Sequence, residues 1–262
     1  MAAGIVRAMA ERRLLSTTVT ETSWLTPSMV RVVVGGEDLE GFGAGAFTDH
    51  YVKCRFGEKT RSYTVREWDP ERRRLTLDFV VHGDEGIAGP WAARAQVGDT
   101  LELTGPGGAY TPDPDADWHL MVGDDAVIPA IATSLQRVRP GVPVFAVIEV
   151  AGPDHEQPLR SPGDLRVTWL HRDGGPGEDP ELLLDAVAGL ELPAGRGHAF
   201  VHGEATAVRL VRRHLVVERG LPAESLSASG YWKQRRTDEQ WRAEKREWLR
   251  QAELDLAAAG SA

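Results

Sequence analysis

The feature that most constrains the fold is a change of rhythm at residues 111–117, "TPDPDAD". Upstream, short β-branched runs follow one another with turn residues between them. "LLSTTVTETSWL" and "MVRVVVGG" flank a "TPS" turn. "FTDHYVKCRF" is a third run, and "TRSYTVRE" and "RRLTLDFVVHG" are joined through "WDPERR". "DTLELTGPGG" is the sixth, with its Pro/Gly cluster read as the turn that leaves the strand. Six short strands with turn signals between them predict a small closed antiparallel structure. Downstream, "WHLMVGDD", "PVFAVIEV", "LRVTWLHR", "GHAFVHGEA" and "SLSASGYW" alternate with helical stretches. These stretches are "VIPAIATSLQRV", "PELLLDAVAGL" and "TAVRLVRRHLVVERG". That alternation predicts a parallel sheet with crossover helices. The expected architecture is therefore an N-terminal antiparallel six-stranded β-barrel over residues 1–112. A Rossmann-like parallel α/β domain follows over 118–262 and ends in a C-terminal helix. That helix opens on "TDEQW", where Thr237 and Gln240 match a capping box. Its Trp241, Trp248 and Ala252 fall near one face, which predicts packing on apolar surface.

A length of 262 residues suits one large domain or two smaller ones. The net charge of −9 argues against general nucleic-acid binding, which needs a basic surface. It leaves room for a local basic pocket, since residues 231–250 are rich in Lys and Arg. No stretch reaches the roughly 18 apolar residues of a membrane span. "MAAGIVRAMAERRLL" lacks the apolar segment of a secretory signal and reads as a short amphipathic helix or a frayed tail. A cytoplasmic, monomeric protein is the default expectation. The single cysteine, Cys54, excludes an intrachain disulfide and reads as a half-buried strand residue. His155, His171, His198, His202 and His214 are scattered, with no metal-ligand spacing among them, so no protein-bound metal is expected.

Three motifs bear on chemistry. In "RSYTVR" (61–66), strand alternation puts Arg61, Tyr63 and Val65 on one face and Ser62 and Thr64 on the other. A flavin dinucleotide suits such a strand. Its pyrophosphate matches a guanidinium fork, its ring can stack on Tyr63, and its N5 edge can take a hydrogen bond from Thr64. An ordinary amphipathic strand with Tyr63 in the core is the alternative reading. "VVHGDEGIAGPWAARA" (80–95) joins a strand to a helix through glycines, a form suited to phosphate. "VGDDAVIPAIATSL" (122–135) is a strand, a polar turn and a helix, placed where a dinucleotide fold holds pyrophosphate. Only Gly123 of the usual glycine set is present there.

In this order, the pieces resemble the ferredoxin-reductase superfamily, and within it the siderophore-interacting proteins, FAD-containing ferric-siderophore reductases. The matching stretches are "DHYVK" (49–53), "RSYTVR", "VVHGDEGIAGPWAARAQVGDTLELTGPGG" (80–108), "GDDAVIPAIATSL" (123–135), "HGEATAVRLVRRHL" (202–215) and "GYWKQRR" (230–236). The resemblance implies that Arg61, Ser62, Tyr63, Thr64 and Val65 hold the flavin ring and phosphates. His82 and Gly83, with Gly86, Ile87, Ala88, Gly89 and Trp91, would hold the pyrophosphate and adenine side. Gly123 and Asp124 would line a nicotinamide-nucleotide site. Lys53, Lys233, Arg235 and Arg236 would form a cationic mouth for an anionic ferric siderophore. FAD is the implied cofactor and NADPH or NADH the implied donor, with ferredoxin as an alternative donor. A ferredoxin-linked flavin reductase and a non-redox siderophore carrier are the rival functions. Family members often carry Glu-Thr or Glu-Ser after "GD", where this chain has Asp125-Ala126. A 2′-phosphate of NADP needs a cation, for which Arg160, Arg166 and Arg172 are candidates.

Overall fold

Six antiparallel strands close into a barrel in the computed structural model, which describes residues 13–43, 45–172 and 179–259. They are β1 (Leu15–Thr26), β2 (Met29–Gly35), β3 (Tyr51–Phe56), β4 (Lys59–Asp69), β5 (Arg74–Val80) and β6 (Thr100–Gly107). The order around the barrel is β1-β2-β5-β4-β3-β6, so no edge is left open. The helix α1 (Ala88–Arg94) lies between β5 and β6 in the chain. The interior is filled by alternate residues of every strand, among them Val19, Val32, Val52, Leu75, Leu77, Phe79, Leu101 and Leu103. Cys54 is one of them. The sequence suggested a half-buried thiol; it is fully enclosed, and burial pushes its pKa up. The N-terminal stretch read as a helix or tail lies outside the described residues, apart from its last three positions.

The "TGPGG" segment differs from its reading as a turn. β6 runs on through Gly107, which pairs with Tyr51 of β3. A Cβ on Gly107 would sit 2.5 Å from the Tyr51 ring. The glycine is there because an aromatic ring lies against the strand.

The second half is a five-stranded parallel sheet of order β11-β10-β7-β8-β9. Its strands and helices are β7 (Trp118–Asp124), α2 (Ile128–Leu135), β8 (Pro143–Val150), β9 (Asp164–His171), α3 (Leu182–Ala188), β10 (Gly197–Glu204), α4 (Ala205–Arg213) and β11 (Leu226–Trp232). α5 (Asp238–Ala259) closes the described chain. The sheet has apolar cores on both faces, as a crossover-connected parallel sheet requires. After α4 the helix widens into a π turn over His214–Glu218, with Arg219 N–H donating to His214 O. The capping box at α5 is present: Thr237 N–H donates to Gln240 Oε1 (2.9 Å) and Gln240 N–H to Thr237 Oγ1 (3.2 Å). Trp241, Trp248 and Ala252 are buried, as their shared face implied. Among the described residues, no helix is long and apolar enough to cross a membrane.

Candidate functional site

Two surfaces meet where the sequence motifs converge: β4 of the barrel, and the carboxyl ends of the parallel strands. On β4, Tyr63 lies opposite Val52 and Val65 is in the barrel core. The Tyr63 ring packs 4.1 Å from Phe79, and burial raises its hydroxyl pKa. Arg61 shares that face and emerges beside the first turn of α5. Its guanidinium donates to Asp238 Oδ2 (3.1 Å) and Glu239 Oε1 (2.9 Å). α5 grips the same strand through Arg242, which donates to Thr60 O (2.8 Å) and pairs with Asp238 (2.7 Å).

The other face of β4 carries Ser62 and Thr64, paired with Lys53 and Tyr51 of β3. Ser62 is exposed and Thr64 is buried. The Thr64 side chain lies close to the Tyr231 hydroxyl, near the end of β11. Tyr231 is half-buried, and desolvation drives its phenol pKa up. Its ring stands edge-on to His202, 5.2 Å away. The strand expected to hold a flavin thus lies directly against the end of the parallel sheet.

The glycine-rich turn is open. His82, Gly83 and Gly86 are exposed, and the two glycines have φ values of +56° and +78° with no atom within 4 Å of a built Cβ. Ile87 caps α1 without a side-chain hydrogen bond. Ala88 and Gly89 are buried, and a Cβ on Gly89 would lie 3.0 Å from Val80 O, so this glycine lets α1 sit on the end of β5. Trp91 packs edge-on against Phe56.

At the sheet's switch point, between β7 and β10, the residues serve the fold. A Cβ on Gly123 would lie 2.7 Å from Val127 Cβ and 2.9 Å from His202 O, so the glycine permits close packing and opens no cradle. Asp124 is 3% exposed. It accepts from Ala126 N–H (3.0 Å), Glu204 N–H (2.8 Å) and Trp232 Nε1–H (2.8 Å), tying together the ends of β7, β10 and β11. Burial, helped by the neighbouring Asp125, pushes its pKa up to about 7.

The expected cationic mouth is partly neutralised. Lys233 Nζ and Arg236 Nε both pair with Glu244, at 3.2 and 2.6 Å. Arg235 sits between them in a left-handed conformation (φ 59°). Lys53, half-buried on β3, has no carboxylate within ion-pair distance among the described residues. It lies two register pairs along from the Tyr51–Thr64 pair, on the same face of the strand. Sequence reasoning missed Tyr231, Asp238, Glu239 and Glu244 as parts of this site. Asp238 and Glu239 were legible only as the start of a helix.

A closed six-stranded barrel followed by a five-stranded parallel sheet is the fold of ferredoxin reductases. Residues 58–110 match the family described as the siderophore-interacting FAD-binding domain, and residues 116–235 match the siderophore-interacting protein family. A relative in Vibrio cholerae, the ferric vibriobactin reductase ViuB, is 31% identical over 85% of this chain and 90% of its own. The NADPH-dependent ferric-chelate reductase of Escherichia coli is 28% identical, covering 86% and 95%. The crystal structure of a siderophore utilization protein from T. fusca superposes with a TM-score of 0.76 at 35% identity, over 88% of this chain and 96% of that one. The chain belongs to the siderophore-interacting protein family.

Proposed function

We propose that this protein is an FAD-dependent ferric-siderophore reductase supplied with electrons by NADH or NADPH. The observation that carries the proposal is the seating of β4 against the second half of the chain, with Thr64 beside Tyr231 at the carboxyl end of β11, where ligands of such sheets gather, and Arg61 against the first turn of α5. The donor set fits FAD. Arg61 already sits in an anion-binding position, with two carboxylates on its fork. A pyrophosphate is a better match for that fork, being doubly charged and bidentate. The open turn at Gly83 and Gly86 leaves room for the phosphates and adenosine.

Bound FAD supplies the change from a two-electron donor to one-electron delivery, the step that reduction of Fe³⁺ requires. The chain's residues position and exclude. Arg61 anchors the phosphates, Thr64, beside Tyr231, presents a hydroxyl at the strand end, and the barrel face shields one side from water. Lys53 draws an anionic siderophore to the same face. No side chain need attack the siderophore. Hard oxygen donors hold Fe²⁺ less tightly than Fe³⁺, so reduction itself loosens the metal.

The test is direct. Purified protein should carry FAD with a flavin absorbance band. After anaerobic reduction, adding a ferric siderophore should restore the oxidised spectrum while a ferrous chelator traps iron. A protein that binds ferric siderophore yet carries no flavin would be a carrier.

A further inference from the structure

We infer that the ribose pocket of this protein reads a hydroxyl, and that Glu149 and Arg172 make it select NADH over NADPH; the inference rests on the nucleotide-dependent reading above. In a parallel sheet of this order, a dinucleotide lies across the carboxyl ends of the strands. The adenosine ribose then sits over the second and third strands. Here those strands are β8 and β9. Three arginines were candidates for a 2′-phosphate. Arg160 precedes β9 at its amino end, where its carbonyl takes a hydrogen bond from Gln136 (2.8 Å). Arg166 lies early in β9, over the Phe145 ring at 5.6 Å. Only Arg172, directly after His171, is at the carboxyl edge.

Arg172 is already engaged. Its Nη2 pairs with Asp125 (2.5 Å) and its Nη1 with Glu149 (3.4 Å). The three side chains are about nine-tenths buried. Two carboxylates against one guanidinium leave the group with a net charge of −1. A 2′-phosphate would bring roughly two more negative charges at pH 7. It would also have to displace a carboxylate from the only cation present in the group.

A hydroxyl meets no such obstacle. Glu149 stands at the end of β8, in register with Asp124 on one side and Leu170 on the other. It can accept a hydrogen bond. Arg172 Nε is a buried donor with no partner among the described residues. A ribose hydroxyl donates once and accepts once, so it satisfies both groups. A phosphate dianion only accepts and leaves Glu149 facing like charge.

The test measures binding and reduction separately, on the FAD-loaded protein. Calorimetry should show NAD⁺ binding at least about tenfold tighter than NADP⁺, a difference of about 1.4 kcal/mol. Anaerobic flavin reduction should favour NADH over NADPH to a similar extent. Glu149→Gln keeps the shape and cancels the net charge. It should shift the NADP⁺/NAD⁺ affinity ratio towards NADP⁺ by about fivefold or more, with FAD content unchanged. NADP⁺ binding as tight as NAD⁺ in the wild type, or an unmoved ratio in the variant, overturns the assignment. So does a failure of both nucleotides to bind or to reduce the flavin. In that case dithionite-reduced protein, offered ferric siderophore, shows whether the reductase function itself survives.

Discussion

Arg61 is the residue on which the site turns. It was legible from "RSYTVR" as an anion-binding guanidinium, and the structure gives it two anions from the protein itself. Asp238 and Glu239 begin α5, where acidic residues favour the helix dipole. Under the proposed function they would compete with the FAD pyrophosphate for the same fork. Removing both charges, as Asp238→Asn with Glu239→Gln, should tighten FAD binding several-fold, whereas Arg61→Ala should weaken it. In the Arg61→Ala background the acid-to-amide changes should have no further effect. Flavin fluorescence quenching on titrating apoprotein measures all four affinities. Looser FAD binding after the acids are neutralised would mean that they orient Arg61 and do not compete with the cofactor. The sequence could not show this pairing, because 177 positions separate Arg61 from Asp238. Gly123 taught the opposite lesson. It looked like a nucleotide glycine, but it is explained by Val127 and the His202 carbonyl.

At the scale of elements, the rhythm of the chain was the reliable signal. Short β-branched runs bounded by turn residues marked the six barrel strands, and the strand–helix succession marked the parallel sheet. Side-chain periodicity reports which face is buried, so it finds elements well. It reports poorly on what joins their ends. The extension of β6 through Gly107 depends on Tyr51, a neighbour distant in sequence. Asp124 is such a joint. Burial outweighs its three donors and lifts its pKa from 3.8 to about 7. The native state then holds a proton that the unfolded chain releases near pH 4. The resulting stabilisation is complete below about pH 4, declines as pH rises towards 7, and is gone above it. Asp124→Asn, which cannot titrate, should lose less thermal stability than the wild type between pH 5 and pH 7.5. Melting curves at the two pH values decide it: equal losses would show that Asp124 does not carry that proton.

At the scale of the whole molecule, polar contacts fasten the barrel to the sheet layer. Thr48 bonds Ser134 (2.8 Å), Ser28 bonds His155 (2.8 Å), and α5 reaches back to Thr60 and Arg61. On the same side of the barrel lies the Thr64–Tyr231 contact, with Lys53 nearby on β3 and Lys233 directly after Trp232. The chain carries −9, so an anionic ferric siderophore approaches against the average field and depends on local cations. The sequence weighted Lys53 and Lys233 equally. The structure does not, because Glu244 shares its charge between Lys233 and Arg236, while Lys53 has no such partner among the described residues. Attraction to an unpaired cation is felt in full and is screened by salt over about 8 Å at 0.15 M. Lys53→Ala should therefore raise KM for an anionic ferric siderophore several-fold and flatten its dependence on ionic strength. Lys233→Ala should do less of both, and Lys233→Ala with Glu244→Gln should again differ little from the wild type. A neutral acceptor and the FAD content should be unaffected throughout. Steady-state rates at two ionic strengths separate the outcomes. If Lys53→Ala slows anionic and neutral acceptors alike, the lysine supports the barrel or the flavin and does not recruit the siderophore.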